Sequence, residues 1–317
     1  MNKIKLWSYC IILLLCLTHC KGQNKEVTKE TMEKLAVAEF KFVTDYKVKP
    51  VYSLQISKQG CRVIVEAFSE DYRFVENEGE SMMIPFNYMI TKSGEQKVKI
   101  KVYPVEGELY ITNYANVAIN VYNASDKDTP LNDYKKIESF SLPQGLETQK
   151  LPYYEHIINF NATVPFDYTK ELEGATDLSK TDNIKEKILK KYKDMQNIAK
   201  QNDVPKYIQE NLFSFGKVSN TTYQTLDELK QFYTENPDRL ITPSLKAVNK
   251  EFLPLDDFEI QFYANGKVAA LWHQSKMTSG LDMKFRYKKN DGTMGEGTNA
   301  DPLFLWMPTR SKELKVW

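Results

Sequence analysis

Val51-Tyr52-Ser53-Leu54-Gln55-Ile56, Cys61-Arg62-Val63-Ile64-Val65-Glu66-Ala67 and Lys97-Val98-Lys99-Ile100-Lys101-Val102 share one pattern, in which apolar and polar residues alternate. A period of two sends successive side chains to opposite faces, so each run predicts a strand with one buried and one wet face. Val117, Ile119 and Val121 repeat the pattern, and Lys97, Lys99 and Lys101 mark the wet face of their own strand. The stretch from Val51 to Tyr122 therefore predicts an antiparallel β-domain.

Working outward, the turn signals agree. Gln59-Gly60 separates the first two runs, Glu78-Gly79-Glu80 interrupts the next pair, and Ser93-Gly94-Glu95 turns a strand ending near Ile90 into the lysine-bearing one. Asp126–Pro130 reads as a loop, and Tyr134–Leu142 and Leu151–Phe160 bring the count to about eight short strands, the spacing of a β-sandwich. Ile84-Pro85-Phe86-Asn87, Ile90, Ser93-Gly94, Gln96 and Val98–Pro104, preceded by Cys61-Arg62-Val63-Ile64-Val65, resemble an immunoglobulin-like domain near the N-terminus of uncharacterised bacterial envelope lipoproteins. The resemblance spans about 75 residues and rests on structural motifs, so it implies a sandwich fold and carries over no catalytic residue.

Residues 166–182 read as a linker, because Gly174 and Thr176-Asp177 break any period. Beyond it the texture becomes helical. Ile184, Ile188, Tyr192, Met195 and Ala199 recur at helical spacing behind Asp182 as N-cap, and Asp203 with Pro205 opens a second helix through Phe213. Thr225-Leu226-Asp227-Glu228 is a capping box for a third, and Ser244 caps a fourth running to Phe252. Strands then return at Phe258–Ala264 and Lys267–His273, joined by Asn265-Gly266, and at Leu281–Tyr287, Leu303–Met307 and Leu314–Trp317. The expected organisation is an all-β immunoglobulin-like sandwich over 46–165, a linker over 166–182, and an α+β domain over 183–317. Helices first and an antiparallel sheet after them match the layout of a nuclear-transport-factor-2-like cone.

The N-terminus speaks to location. Lys3 and Lys5 precede an apolar run from Ile11 to Leu17, which is too short to span a bilayer and has the form of a secretory signal over residues 1–20. It ends in Leu17-Thr18-His19-Cys20, which resembles a bacterial lipobox; Cys20 is then the lipidated N-terminus, although His19 stands where the pattern wants a small residue. Cleavage after Gln23 and an uncleaved anchor are the other readings. Residues 21–45 follow as a tether, of which Met32–Asp45 fits a helix through Met32, Leu35 and Ala36 or a strand through Phe40, Phe42 and Tyr46.

Composition narrows the function classes. The 317 residues hold 43 basic and 42 acidic side chains, and loss of Lys3 and Lys5 with the signal leaves 41 against 42, or −1. Such balance offers no global attraction to nucleic acid. Three histidines without spaced partners make a zinc site a poor fit, and no other cofactor signature occurs. Gly292-Thr293-Met294-Gly295-Glu296-Gly297 lacks both the Lys-Ser/Thr and the following helix of a phosphate loop, and reads as a mobile strand connection. Asp126-x-Asp128 lacks the glycine and glutamate of a calcium loop. Cys61 reads as a small buried hydrophobe.

His273 is the one candidate for acid–base chemistry. A two-residue turn at Asn265-Gly266 places it on a face with Phe258, Ile260, Phe262, Ala269 and Leu271, either as a rim residue or at the mouth of a pocket. Nineteen tyrosines and four tryptophans favour interaction instead, with Trp272, Tyr263, Tyr287, Trp306 and Arg310 as surface candidates. The sequence thus points to a non-enzymatic protein, lipid-anchored to the membrane of a bacterial envelope and facing the periplasm or the outside, with a protein partner; a toxin-neutralising immunity protein is its concrete form. A hydrolase or isomerase using His273 is the runner-up.

Overall fold

The computed structural model describes residues 28–235, 247–289 and 291–317. The expected lipidation residue, Cys20, lies outside them. Helix α1 (Lys29–Phe40) opens the described chain, capped by the Thr28 hydroxyl, which accepts from Thr31 N–H. Eight strands follow: β1 (Val51–Gln59), β2 (Arg62–Glu66), β3 (Asp71–Phe74), β4 (Glu80–Pro85), β5 (Gly94–Tyr103), β6 (Asn116–Ala124), β7 (Lys135–Ser141) and β8 (Tyr154–Ala162). Next come helices α2 (Thr169–Gly174), α3 (Ile184–Lys200), α4 (Val204–Thr221) and α5 (Leu226–Glu235), then β9 (Ala247–Phe252), β10 (Phe258–Tyr263), β11 (Val268–His273), β12 (Met283–Lys288), β13 (Met294–Asn299), β14 (Leu305–Trp306) and β15 (Lys315–Val316). Among the described residues no helix is long and apolar enough to cross a membrane.

The strands form four antiparallel sheets, ordered β4-β1-β6-β7, β3-β2-β5-β8, β10-β11-β14-β15 and β13-β12-β9. Alternation decides what each face meets. Leu54 and Ile56 of β1, Val63 and Val65 of β2, Val98, Ile100 and Val102 of β5, and Val117, Ile119 and Val121 of β6 are fully buried in one shared core. That core also takes in Tyr263, Val268, Ala270, Trp272, Phe304, Trp306 and Trp317 from the C-terminal half. A second core is built from Met32, Leu35 and Ala36 of α1, the inner faces of α3, α4 and α5, and Ala269, Leu271, Leu305 and Val316. Strand β11 therefore sends alternate residues into different cores, which is why Val268 to Trp272 are all buried although a strand covered on one face should alternate.

Local signals explain most element ends. The capping box of α5 is formed: Glu228 N–H donates to Thr225 Oγ1 at 3.2 Å, and Thr225 N–H to Glu228 Oε2 at 2.6 Å. Asp203 caps α4 by accepting from Lys206 N–H at 3.2 Å. This helix runs on to Thr221 rather than stopping near Phe213, and Gly216 within the added turns makes room for Phe42: a Cβ there would lie 2.6 Å from Phe42 Cβ. In α3 the N-cap is Asn183, in the left-handed region at φ 54°, and not Asp182. The Asn265-Gly266 turn closes with Lys267 N–H on Ala264 O at 3.2 Å, and Phe258 pairs with His273, the register anticipated from the sequence.

Four segments depart from expectation. Of the helix expected from Ser244 to Phe252, the cap lies outside the described residues and the rest is not helical: Ala247–Phe252 is strand β9, pairing with β12 through Phe252 opposite Met283 and Ala247 opposite Tyr287. An available sheet edge outweighs a weak helical pattern. The glycine-rich run is not a loose connection either. Met294–Asn299 is strand β13, and Gly295 and Gly297 sit opposite Tyr287 and Phe285, whose rings lie where a Cβ would come within 2.8 Å of each. Residues 166–182 are packed, with Phe166, Leu172, Ala175 and Leu178 all buried, and α1 likewise belongs to the folded body.

Candidate functional site

The alternation of β5 buries Val98, Ile100 and Val102 and turns Lys97, Lys99 and Lys101 outward. Register sets Ile157 and Asn159 of β8 opposite Lys99 and Lys97, and Glu66 of β2 opposite Lys99 on the other side. This outer face is the floor of a groove of about 860 Å³. The β10–β11 hairpin supplies one wall, through Phe262 and the turn from Ala264 to Lys267, and the β2–β3 turn adds Phe68. Thr169, Leu172 and Glu173 of α2 also line it. Hydrogen bonds to backbone carbonyls hold the walls in place: Ala264 N–H donates to Phe68 O at 2.8 Å, and the Lys267 ammonium to Ala175 O at 2.7 Å.

Charge inside the groove is mixed. Glu66 accepts from Lys101 Nζ at 2.6 Å and from Gln261 Nε2 at 2.8 Å, with Lys99 Nζ at 3.6 Å. Glu66 is thereby committed to structure, whereas Lys97 keeps 68% of its side chain exposed and, among the described residues, pairs with Glu95 alone, at 3.8 Å. Phe68 and Phe262 are 47% and 38% exposed, so apolar ring area borders the lysines. Thr169, on the helix side of the lining, turns its hydroxyl to Asp167 Oδ1 at 2.5 Å.

Behind the groove a buried polar cluster joins β3 to β10 and β11. Arg73 donates from Nε and Nη2 to Asp71 Oδ2 at 3.1 and 3.0 Å, from Nη2 to Gln261 Oε1 at 2.7 Å, and from Nη1 to Met277 O at 3.3 Å. Tyr263 OH donates to Asp71 Oδ2 at 2.7 Å, and Trp272 Nε1 donates to Tyr263 OH at 2.9 Å. Burial raises the Asp71 carboxyl above its ordinary range while Arg73 pulls it back down. Close by in sequence, Lys217 Nζ reaches Glu70 Oε1 at 2.5 Å and lies 4.7 Å over the Trp317 ring. Glu70 is likewise raised by burial and lowered by its lysine.

The sequence candidates scatter across this framework. Trp272, Tyr263 and Trp306 are 3%, 4% and 6% exposed, which overturns their reading as surface residues: the C-terminal sheet is covered on both faces, so its aromatic rings serve the core. Tyr287 is half-buried over Gly295, and Arg310 is exposed at φ 65°. His273 is not part of the groove lining. Its Nδ1 accepts from Lys276 N–H at 3.3 Å and lies 3.2 Å from Ser275 Oγ and 3.7 Å from Asp257 Oδ2, while Phe258 packs on the ring edge-on at 5.1 Å. A nitrogen that accepts a backbone N–H is not available to pass a proton to Asp257. Among the described residues no three His, Cys, Asp or Glu side chains are grouped to hold a metal ion. Burial pushes the Cys61 thiol up to about 11, the opposite of an activated cysteine.

Comparison with protein-family models, with curated proteins and with solved structures yields no match. The groove residues Glu66, Phe68, Lys99 and Phe262 were not singled out by sequence as a site. The outward lysines were legible as a wet face; that a hairpin some 160 residues later walls that face was not.

Proposed function

We propose that this chain is a non-enzymatic binding protein of the bacterial envelope, anchored through lipid on Cys20 and receiving its ligand in the groove over β5. The observation that carries the reading is the groove itself, where Phe68 and Phe262 border the outward lysines of β5. Two four-stranded sheets that share one core support an immunoglobulin-like sandwich over 46–165, and the helices with the later sheets support an α+β unit over 183–317. A protein ligand makes it an immunity protein in its concrete form. The hydrolase or isomerase alternative draws little from His273, whose Nδ1 is engaged by backbone and which stands outside the groove.

Two measurements test this. Cys20→Ala moves the protein from the membrane to the soluble fraction if the anchor is right; an unchanged membrane fraction removes it. Envelope extract passed over immobilised residues 21–317 leaves a retained species that Lys99→Glu with Phe262→Asp abolishes and His273→Ala does not. Equal retention by wild type and the groove variant overturns the site.

A further inference from the structure

A second surface lies at one end of the N-terminal sheets. The loop between β5 and β6 carries Leu109 and Tyr114, whose 74% and 77% exposures are extreme for large hydrophobic residues, together with Tyr110 at 43%. Tyr153, 50% exposed, comes from the segment entering β8. A soluble surface scatters such residues singly; their concentration in one place marks a contact site.

The loop is pinned and does not collapse onto its own apolar side chains. Ile111 is buried, and its N–H donates to Leu151 O at 2.9 Å, tying the loop to the segment before β8. Gly60, at φ 62°, lies so close to the Tyr114 backbone that a Cβ would come 2.7 Å from Tyr114 O. Glu106 N–H donates to Asn77 Oδ1 at 3.1 Å, and Tyr153 stacks on Tyr103 at 6.0 Å between centroids. A pinned loop has its backbone ordered before a partner arrives, and each tyrosine then has only two side-chain angles to fix, as in tyrosine-rich antibody loops.

Charge names the partner. From Pro104 to Ser125 the chain has no lysine or arginine, while Glu106 and Glu108 stand exposed beside the rings. The Asn77 contact brings Glu76 and Glu78, also exposed, to the same end. Two cations lie near. Arg62 of β2 feels the charge of Glu106 but turns its guanidinium to backbone, with Nε on Pro104 O at 2.8 Å and Nη1 on Ser275 O at 2.9 Å. The buried Lys58 ammonium donates to Glu76 O and Glu78 O and pairs with the Glu80 carboxylate at 2.8 Å. No salt bridge reaches any of these four glutamates among the described residues. We propose that this loop end docks a basic patch on a folded protein partner, with Leu109, Tyr110 and Tyr114 packing at the centre and the glutamates steering from the rim. An anionic lipid surface or a nucleic acid would be repelled by the same carboxylates.

The test places the photo-cross-linker benzoylphenylalanine at position 114 of the full chain in its own cells, with position 131 as control, since Leu131 is also exposed, at 63%, but lies in the β6–β7 connection. The expected result is an adduct at 114 and not at 131, with a protein whose cross-linked domain carries an excess of Lys and Arg. Glu106→Lys with Glu108→Lys should cut its yield at least tenfold while leaving the melting temperature unchanged, and the milder Glu106→Gln with Glu108→Gln should cut it less. An adduct of twice the chain mass, an adduct with an acidic or neutral partner or a glycan, a yield insensitive to both charge variants, or no adduct above the control would each overturn the proposal. Because groove variants leave this loop intact, loss of groove binding and loss of the adduct are separable outcomes.

Discussion

The guanidinium of Arg73 lies 3.5 Å over the indole ring of Trp272, and this stack joins the N-terminal sheets to the C-terminal one. Arg73 comes from a four-residue edge strand and Trp272 from the centre of a sheet nearly 200 residues later. The same guanidinium holds Asp71, and the Asp71 and Arg73 side chains are 0% and 5% exposed.

That burial sets the cost of disrupting the pair. Arg73→Ala leaves the Asp71 carboxylate buried against Tyr263 without its cation, and should cost about 3–5 kcal/mol in urea denaturation. Replacing Asp71 by Asn and Arg73 by Met together should cost clearly less than Arg73→Ala alone. A double-mutant cycle reads the coupling directly, and additive single effects would contradict a buried pair.

Glu39 titrates in the opposite sense to a salt-bridged acid. It is 2% exposed, accepts from Ser219 Oγ at 2.5 Å and from Tyr233 OH, and is raised above its ordinary value by burial, against the pull of both hydrogen bonds. An acid whose folded pKa exceeds its unfolded one contributes stability that is full below the unfolded value, near 4.5, and is lost as pH rises through the folded value. Thermal melting of Glu39→Gln should therefore lack this decline and exceed wild type on the alkaline side. Parallel melting curves for both proteins from pH 5 to 9 would refute the assignment.

Gly297→Ala tests the strand reading of the glycine-rich run. The new Cβ would lie 2.8 Å from Phe285 Cζ and force the ring off β13. Overpacking of this kind costs about 1–3 kcal/mol, whereas a loose connection would accept or even welcome alanine. A melting temperature equal to or above wild type would show that the ring does not sit there.

His273→Ala should cost about 1 kcal/mol. The side chain is 12% exposed and loses its edge contact with Phe258, but Lys276 N–H stands at a turn where water can replace Nδ1. Groove binding should be unaffected. A loss of about 3 kcal/mol or more would mean that the imidazole satisfies a fully buried partner.

Much of the local structure was legible in the residues themselves. Alternation over Val51–Tyr122 specified which side chains of β1, β2, β5 and β6 turn inward, because the pleat has a period of two whatever surrounds it. Thr225 and Glu228 announced α5, and Asn265-Gly266 placed Phe258 opposite His273, since capping and turn chemistry act within a few residues. What only the tertiary structure decided is which surfaces meet. Trp272, Tyr263 and Trp306 carry the amphipathic rings of an interface, and they became core because a second layer covers that face of their sheet. Gly295 and Gly297 became a strand because Tyr287 and Phe285 cover them from across the ladder. The groove exists because residues 262–267 fold back over Lys97 and Lys99. Such pairings join residues up to 200 apart, and their energy belongs to neither partner alone, so no window of sequence contains it.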